Sequence, residues 1–557
     1  MAKRNKKTER STVRKKVDVV IGDWLKLKPY KTANNHDIKY LRLSQEIYQM
    51  LGTSFVEELK NWGYKRENLV EISVVLASYV EDFASEIGLW KAFTDYNKEQ
   101  FGSPLPFFEI EKEEYFENDL NPQDLSYLIW HYSSAHLSDG VFPPYRFSVM
   151  GEAVYDLIEP KIEELSVTNY YENFLKVADN EDFWVLKDKF KWLALNSYLV
   201  GIDFGKEHGK QAKDVNDEIE KMLERKEYEG AKFMMENGGM LLYQFMNEFI
   251  YYKNSKFAAL NVPIWLSKII RASEKAKARI ADFYKFSKGY FKFISNEKTH
   301  YLFEELRTGR RFEVAKDSFE PTFLKKTPVG TEMEMSIFFW NDQWYMSGGV
   351  FSDTKNGVEI DKSKPVPYYL YPEDVKPKVF GMIEEMRDIF IDLYGSPLVL
   401  CENKADLGRV INGFYKANNE KVAKENSDLR DRPTPSINLD NVKGKDFAVF
   451  FHSTQGLSIK YGANELVALL NAKVGSLTEE EKEAIFHWYH VDFDSEEFIQ
   501  YLSTNFPTKN LESPNGLFVD VPKDSAYLRR FFHPEDYEHT PIPRNSIVSS
   551  KKFESFK

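Results

Sequence analysis

From about Asp37 to Ile294, apolar residues recur at helical spacing and alternating stretches are few, which predicts a mostly helical first half. Within it, Asn121-Pro122-Gln123-Asp124 predicts a helix start, with Asn as N-cap, Pro at the first helical position and an acid at the third. The run LSYLIWHYSSAH continues that helix, and Leu105-Pro106 and Pro143-Pro144 punctuate the loops on either side. Gly238-Gly239 is expected to separate an acidic helix near 214–236 from an apolar one over Met240–Tyr252. A last helix is expected from about Ser267 to Ile294.

The period changes to two between His300 and Phe351. THYLFEEL, a turn at Arg307-Thr308-Gly309-Arg310 and RFEVAK predict one hairpin; TEMEMSIFFW, Asn341-Asp342 and QWYMSGGVF predict a second. Gly348-Gly349 suggests a bulge or barrel corner. The strands suit a small barrel of SH3-like or OB-like size. Pro365, Pro367, Pro372 and Pro377 mark a linker. Beyond it helices and short strands mix: VFGMIEEMRDIFIDLYG, SPLVLC, a helix capped by Asn403, strands DFAVFFH and LSIKYG, and capping boxes at Thr478/Glu481 and Asp494/Glu497. The expected fold is α+β and multidomain. A basic arm (1–17) precedes a helical domain (18–297), a β-barrel module (298–353), a Pro-rich linker (354–378), an α/β C-terminal domain (379–540) and a tail (541–557).

Composition narrows the class. The 557 residues are 42% hydrophobic and 15% aromatic, which excludes collagen-like and wholly disordered chains. A single cysteine, Cys401, excludes a disulfide scaffold and a Cys-based zinc or iron–sulfur site. No apolar run approaches the roughly 18 residues of a membrane span, and the basic start lacks the apolar stretch of a secretory signal, so a cytoplasmic protein with no membrane partner is expected.

The formal charge of −12 at first disfavours nucleic acid, but it is unevenly spread. Lys3, Arg4, Lys6, Lys7, Arg10, Arg14, Lys15 and Lys16 face only Glu9, so residues 1–17 carry +7 and the remainder −19. On a helix from Ser267 to Ile294, Arg271, Lys275, Arg279, Lys285, Lys288 and Lys292 (with Lys277) fall on one face, opposite an apolar arc. Arm and stripe together predict a phosphate-backbone contact, with RNA, DNA or a ribonucleoprotein as partner. The plainer reading is a charged leader and a solvated face.

Phosphate loops, dinucleotide fingerprints, HExxH and nucleophile elbows are all missing from the sequence, so no catalytic residue and no cofactor are assigned. His487, His490, Asp492 and Asp494 form the best metal-like cluster, with His at i and i+3 and two carboxylates beyond the helix end. An amphipathic helix followed by an Asp cap explains the same residues. Asp392, Glu402 and Lys404 invite a metal-nuclease reading, and Cys401 with His452 a thiol one; surface charge and a small core residue are the simpler accounts. His131 and His136 stand about 140° apart on a helix, so one shared partner is not expected. Met234, Met235, Met240 and Met246 suit either a core or an adaptable partner groove.

IGDWLKLKPY, SYVEDFASEIGLWKAF, the LPFFE loop and NPQDLSYLIWHY resemble the opening of a Bacteroidetes-type bacterial family known only as a domain of unknown function. The likeness is best over residues 20–145 and extends loosely to FEELRTGRRFEV. It implies a bacterial cytoplasmic origin and the same domain order, and no activity. The expectation is a non-enzymatic binding protein for nucleic acid or a ribonucleoprotein. A protein-interaction scaffold and, behind it, a metal-dependent hydrolase or nuclease are the alternatives.

Overall fold

The computed structural model describes residues 18–107, 115–137, 142, 144–165, 167–251, 253–284, 287–319, 327–352, 376–425, 446–461, 468, 471, 477–482, 485, 495–505, 521–534 and 537. The fold is mixed α+β: a helical N-terminal region, a small barrel, then further helices and strands.

The helical region runs α1 (Ile21–Leu25), α2 (Asn35–Ser54), α3 (Val56–Asn61), α4 (Arg66–Ala84), α5 (Leu89–Phe101), α6 (Pro122–His136), α7 (Ser148–Ile158) and α8 (Tyr170–Phe174). It continues through α9 (Phe183–Asn196), α10 (Val200–Glu224), α11 (Tyr228–Tyr251), α12 (Val262–Ile269) and α13 (Glu274–Ala281). Two helices form its centre. α4 buries every residue from Ile72 to Asp82, and α6 every residue from Asp124 to Ser134, as expected of helices enclosed on all sides. Asn121 stands at the start of α6, but its side chain holds the preceding loop through Phe116 and Asp119 rather than capping the helix.

Around the opening segment the enclosed polar groups are paired, as burial requires. Trp24 Nε1 and the Tyr30 hydroxyl both donate to Asp37 Oδ1 at 2.8 Å. Lys28 pairs with Glu81, which also meets His36 Nε2 at 2.9 Å. The ammonium of Lys28 lies 3.5 Å from the centroid of the Trp24 ring. The opening segment is therefore a plug bonded into the helical core.

Two helical expectations are corrected. Gly238-Gly239 breaks nothing, because α11 runs unbroken from Tyr228 to Tyr251 and packs antiparallel to α10. Residues 267–294 are not one helix either: α12 stops at Ile269, Ser273 caps α13 by accepting from Ala276 N at 3.1 Å, and Ser287–Asn296 is a strand. There Phe291 and Phe293 point inward while Lys292 and Ile294 lie less buried, a period of two that also fits helical spacing when only apolar positions are counted.

That strand, β1, opens the barrel. It is followed by β2 (His300–Glu305), β3 (Arg311–Ala315), β4 (Glu332–Trp340), β5 (Gln343–Met346) and the short β6 (Phe351–Ser352). The order is β1-β2-β3-β5-β4, and β4 pairs back onto β1, so the sheet closes. All pairs are antiparallel except β3 with β5 at Val314↔Trp344, the arrangement of an OB-type Greek-key barrel. Asn341 and Asp342 make the β4–β5 turn with φ of 48° and 60°, the left-handed pair that a two-residue hairpin needs. At Gly348 φ is +101°, and an added Cβ would lie 2.5 Å from Gln244 Oε1 of α11. The helix sits that close because Asn247 Oδ1 accepts from Ser347 Oγ at 2.6 Å and Gln244 Oε1 from Gly349 N at 2.9 Å.

The remaining elements are α14 (Lys376–Tyr394), β7 (Leu398–Cys401), α15 (Lys404–Glu425), β8 (Phe447–His452), β9 (Gly456–Tyr461), α16 (Glu496–Asn505) and α17 (Val521–Phe532). β7, β8 and β9 form an antiparallel sheet over a small core of Ile383, Phe390, Phe414 and Phe451. The last helix packs elsewhere. Tyr527, Leu528 and Phe531 of α17 belong to the large helical core, where the Tyr527 and Tyr127 hydroxyls are hydrogen-bonded.

Candidate anion-binding cavity

The structure does not bring the expected basic stripe together. Arg271 N donates to Leu175 O at 2.9 Å, and its guanidinium reaches Glu86 O and Glu172. Arg279 donates to Asp179 O at 2.9 Å and to Asn341, and stacks 4.4 Å from the Trp340 ring centroid, so it fastens α13 to the barrel. Lys275 is exposed on α13. Lys288 and Lys292 belong to β1, where Lys292 is registered against Glu304 on one side and Glu332 on the other. Lys285 lies outside the described residues, as do the arm residues and His487, His490, Asp492 and Asp494.

The other sequence candidates separate. Asp392, Glu402 and Lys404 are exposed, and Asn403 caps α15 by accepting from Asp406 N at 3.0 Å. Burial pushes the Cys401 thiol up to about 11. Cys401 is registered with Phe447 at one end of β8, whereas His452 at the other end bonds Ser458 and Ser495. Among the described residues no group of three or more His, Cys, Asp or Glu is arranged to hold a metal ion.

A different basic group does converge. A cavity of about 580 Å³ opens where the last turn of α6, the first turns of α10 and the loop after α11 meet, and Lys206, Lys210, Lys253 and Lys256 line it. Lys206 and Lys210 are one helical turn apart on α10, and the exposed Lys213 continues the same face outward. The loop lysines are placed by backbone bonds: Lys253 N donates to Glu248 O at 3.1 Å and Lys256 N to Asp203 Oδ2 at 3.1 Å. Ala258 and Ala259, both at positive φ, turn the chain back into α12. From the C-terminal segment, Pro534 O and Tyr537 O accept from Asn254 Nδ2 at 2.7 and 2.9 Å.

Two residues that line the cavity, His136 and Asp203, meet His131, which does not line it. His131 Nε2 lies 3.6 Å and His136 Nε2 3.4 Å from the same oxygen, Asp203 Oδ1. All three atoms are buried without a hydrogen-bond partner. The expectation that these histidines share no partner is thus corrected: α6 ends at His136, and Asp203 approaches from α10 between the two imidazoles. Burial lowers both imidazole pKa values, that of His136 to about 3, so both are neutral. Burial opposes charge on Asp203, yet its polar and basic neighbours, the Lys256 ammonium among them, hold it below the ordinary carboxylate range.

The wall therefore carries four lysine cations against Asp203 and Glu207. Lys206 is partly engaged by Glu71 at 3.4 Å, and Lys256 Nζ by Ala135 O at 3.3 Å. An excess of ammonium donors around a partly open cavity suits a phosphate or another compact anion. The sequence carried half of this signal in Lys206, Lys210 and Lys213 at i, i+4 and i+7; Lys253 and Lys256 join them only through the tertiary fold.

A protein-family model described as "Protein of unknown function (DUF3843)" matches residues 19–317. No curated protein and no solved structure matches the chain.

Proposed function

We propose that this chain, which belongs to the DUF3843 family of proteins of unknown function, is a binding protein for nucleic acid or a ribonucleoprotein that seats a phosphate in the lysine-lined cavity. The observation that carries the reading is the convergence of Lys206, Lys210, Lys253 and Lys256 from two separate stretches of chain on one partly open cavity. Lys213 extends the track along α10, and the basic arm supplies further cations from sequence. The stripe from 271 to 292 plays no part in this version, because no single helix aligns it and its arginines are engaged by Glu172, Asp179 and Asn341.

The test is fluorescence polarisation of a 5′-labelled single-stranded RNA with a free phosphate, titrated at low and moderate salt. Binding that weakens steeply with salt, and weakens again in a Lys210→Glu/Lys253→Glu variant, is expected. Absence of retention at about 50 mM salt would sink the reading.

One observation favours a protein-interaction scaffold as the second reading. On the α10–α11 hairpin Tyr228, Phe233 and Met235 are 62%, 54% and 57% exposed, and Met240 is 39% exposed. That version requires a nuclease-resistant partner lost on Phe233→Asp.

A further inference from the structure

The outer part of the α10–α11 hairpin stands apart from the helical core. Beyond Phe204 no residue of α10 is buried, and between Ala231 and Asn247 none of α11 is. The two helices cover one another along a single seam. Val215 comes within 3.7 Å of a Cβ placed on Gly238, and Met222 within 3.3 Å of one placed on Gly230. Phe204 joins the same seam through the rings of Phe245 and Phe249. The opposite side of α10 faces away from α11.

That side carries an ordered set of charges. At about 100° per residue, Lys206, Lys210, Lys213, Asp217, Glu220 and Glu224 all fall within about 40° of the direction opposite Val215. Their spacing alternates between four and three residues, the repeat of a helix–helix seam. The first three are basic and the last three acidic, and the order inverts about Val215. Lys206 and Glu224 stand nine residues from it, Lys210 and Glu220 five, and Lys213 and Asp217 two. Lys210, Lys213, Glu220 and Glu224 are exposed and Asp217 is partly so. Among the described residues these five form no ion pair; the neighbouring pairs run from Lys206 to Glu71 and from Glu218 to Arg225.

We infer that this face of α10 is the contact for a second copy of the chain, lying antiparallel across a two-fold axis at Val215. In that register Lys206 of one copy meets Glu224 of the other, Lys210 meets Glu220 and Lys213 meets Asp217. The two-fold symmetry makes each pair twice. A parallel arrangement would set like charges side by side, so charge selects one orientation. A uniformly acidic or basic partner would match only half of the stripe. Exposed ion pairs are individually weak and screened by salt, so the dimer is reversible and salt-sensitive. The inference does not rest on the phosphate reading. Lys206 and Lys210 also line the lysine cavity, so a second copy and a phosphate compete for them.

The experiment is sedimentation velocity on the full chain, freed of nucleic acid, over a concentration series at about 20 mM and about 300 mM salt. A monomer–dimer shift at low salt that disappears at high salt is expected. Two variants each reverse part of the stripe: Lys210→Glu/Lys213→Glu and Asp217→Lys/Glu220→Lys. Each alone should weaken self-association roughly tenfold or more, because like charges then meet across the seam. Mixed in equal amounts, the two should form a heterodimer, since every facing pair again has opposite signs. A wild-type chain that stays monomeric at low salt, variants that dimerise as well as it does, or a mixture that stays monomeric would each overturn the inference. The Asp217/Glu220 variant keeps every cavity lysine, so loss of its dimer is distinct from any loss of phosphate binding.

Discussion

His136 Nε2 lies 3.4 Å from Asp203 Oδ1, with both atoms buried and neither engaged in a hydrogen bond. A charged imidazolium at that distance would form a strong pair, yet burial keeps His136 neutral by lowering its pKa to about 3. The wall of the lysine cavity thus holds a proton site that the fold keeps empty.

That arrangement fixes a sign for acid stability. Between about pH 3 and the ordinary histidine value near 6.5, the unfolded chain binds a proton at His136 that the folded chain does not. Stability therefore rises with pH across this window and falls in acid. Urea melts from pH 4 to 7 should show that slope, and His136→Gln should flatten it.

Phosphate binding should load the same wall. Each lost lysine contact is expected to lower the salt slope for a single-stranded ligand by about 0.7. Lys210→Glu and Lys253→Glu, measured singly and together by polarisation against salt, check this; equal slopes in all variants would show that the lysines make no phosphate contact.

Asp124 predicts the opposite trend. Burial raises its pKa to about 7, so between about pH 4 and 7 the folded chain holds the extra proton and stability declines as pH rises. Asp124→Asn should remove this decline. Melts of the two single variants and their double combination separate the Asp124 and His136 slopes.

The C-terminal helix should matter to the N-terminal core. Phe531 is fully buried among Trp130 and His131. Phe531→Ala is expected to cost about 3–5 kcal/mol, read by denaturant unfolding with the fluorescence of the N-terminal tryptophans.

Gly348→Ala should loosen the barrel from α11, because φ is +101° and a Cβ would press within 2.5 Å of Gln244 Oε1. A loss of about 1–3 kcal/mol is expected, and Gln244→Ala in the same chain should recover only some of the steric part, since Asn247 stays 3.0 Å from the added Cβ, and none of the backbone part.

Where neighbours in sequence decide structure, the chain was readable. Asn341-Asp342 announced its turn, the alternation of 300–305 and 311–315 its hairpin, and Thr478/Glu481 its capping box. Ser287–Asn296 was misleading, because its aromatic residues satisfy two periods and only pairing with β2 and β4 chooses between them. The candidate site was less legible for the same reason. Asp203 lies 67 residues beyond His136, so their encounter depends on packing rather than spacing.

The family match stops at residue 317, after β3, while β4 begins at Glu332. Six residues of β1, Ser287 to Lys292, pair with β4, and only Phe291 and Lys292 of them also pair with β2. A fragment cut to the matched region would therefore end in an open three-stranded edge with Phe291 and Phe293 uncovered, a surface prone to self-pairing. The boundary drawn by similarity is not a boundary of folding. Any dissection of the protein has to carry the chain at least through Met346, the end of β5, to preserve a closed sheet.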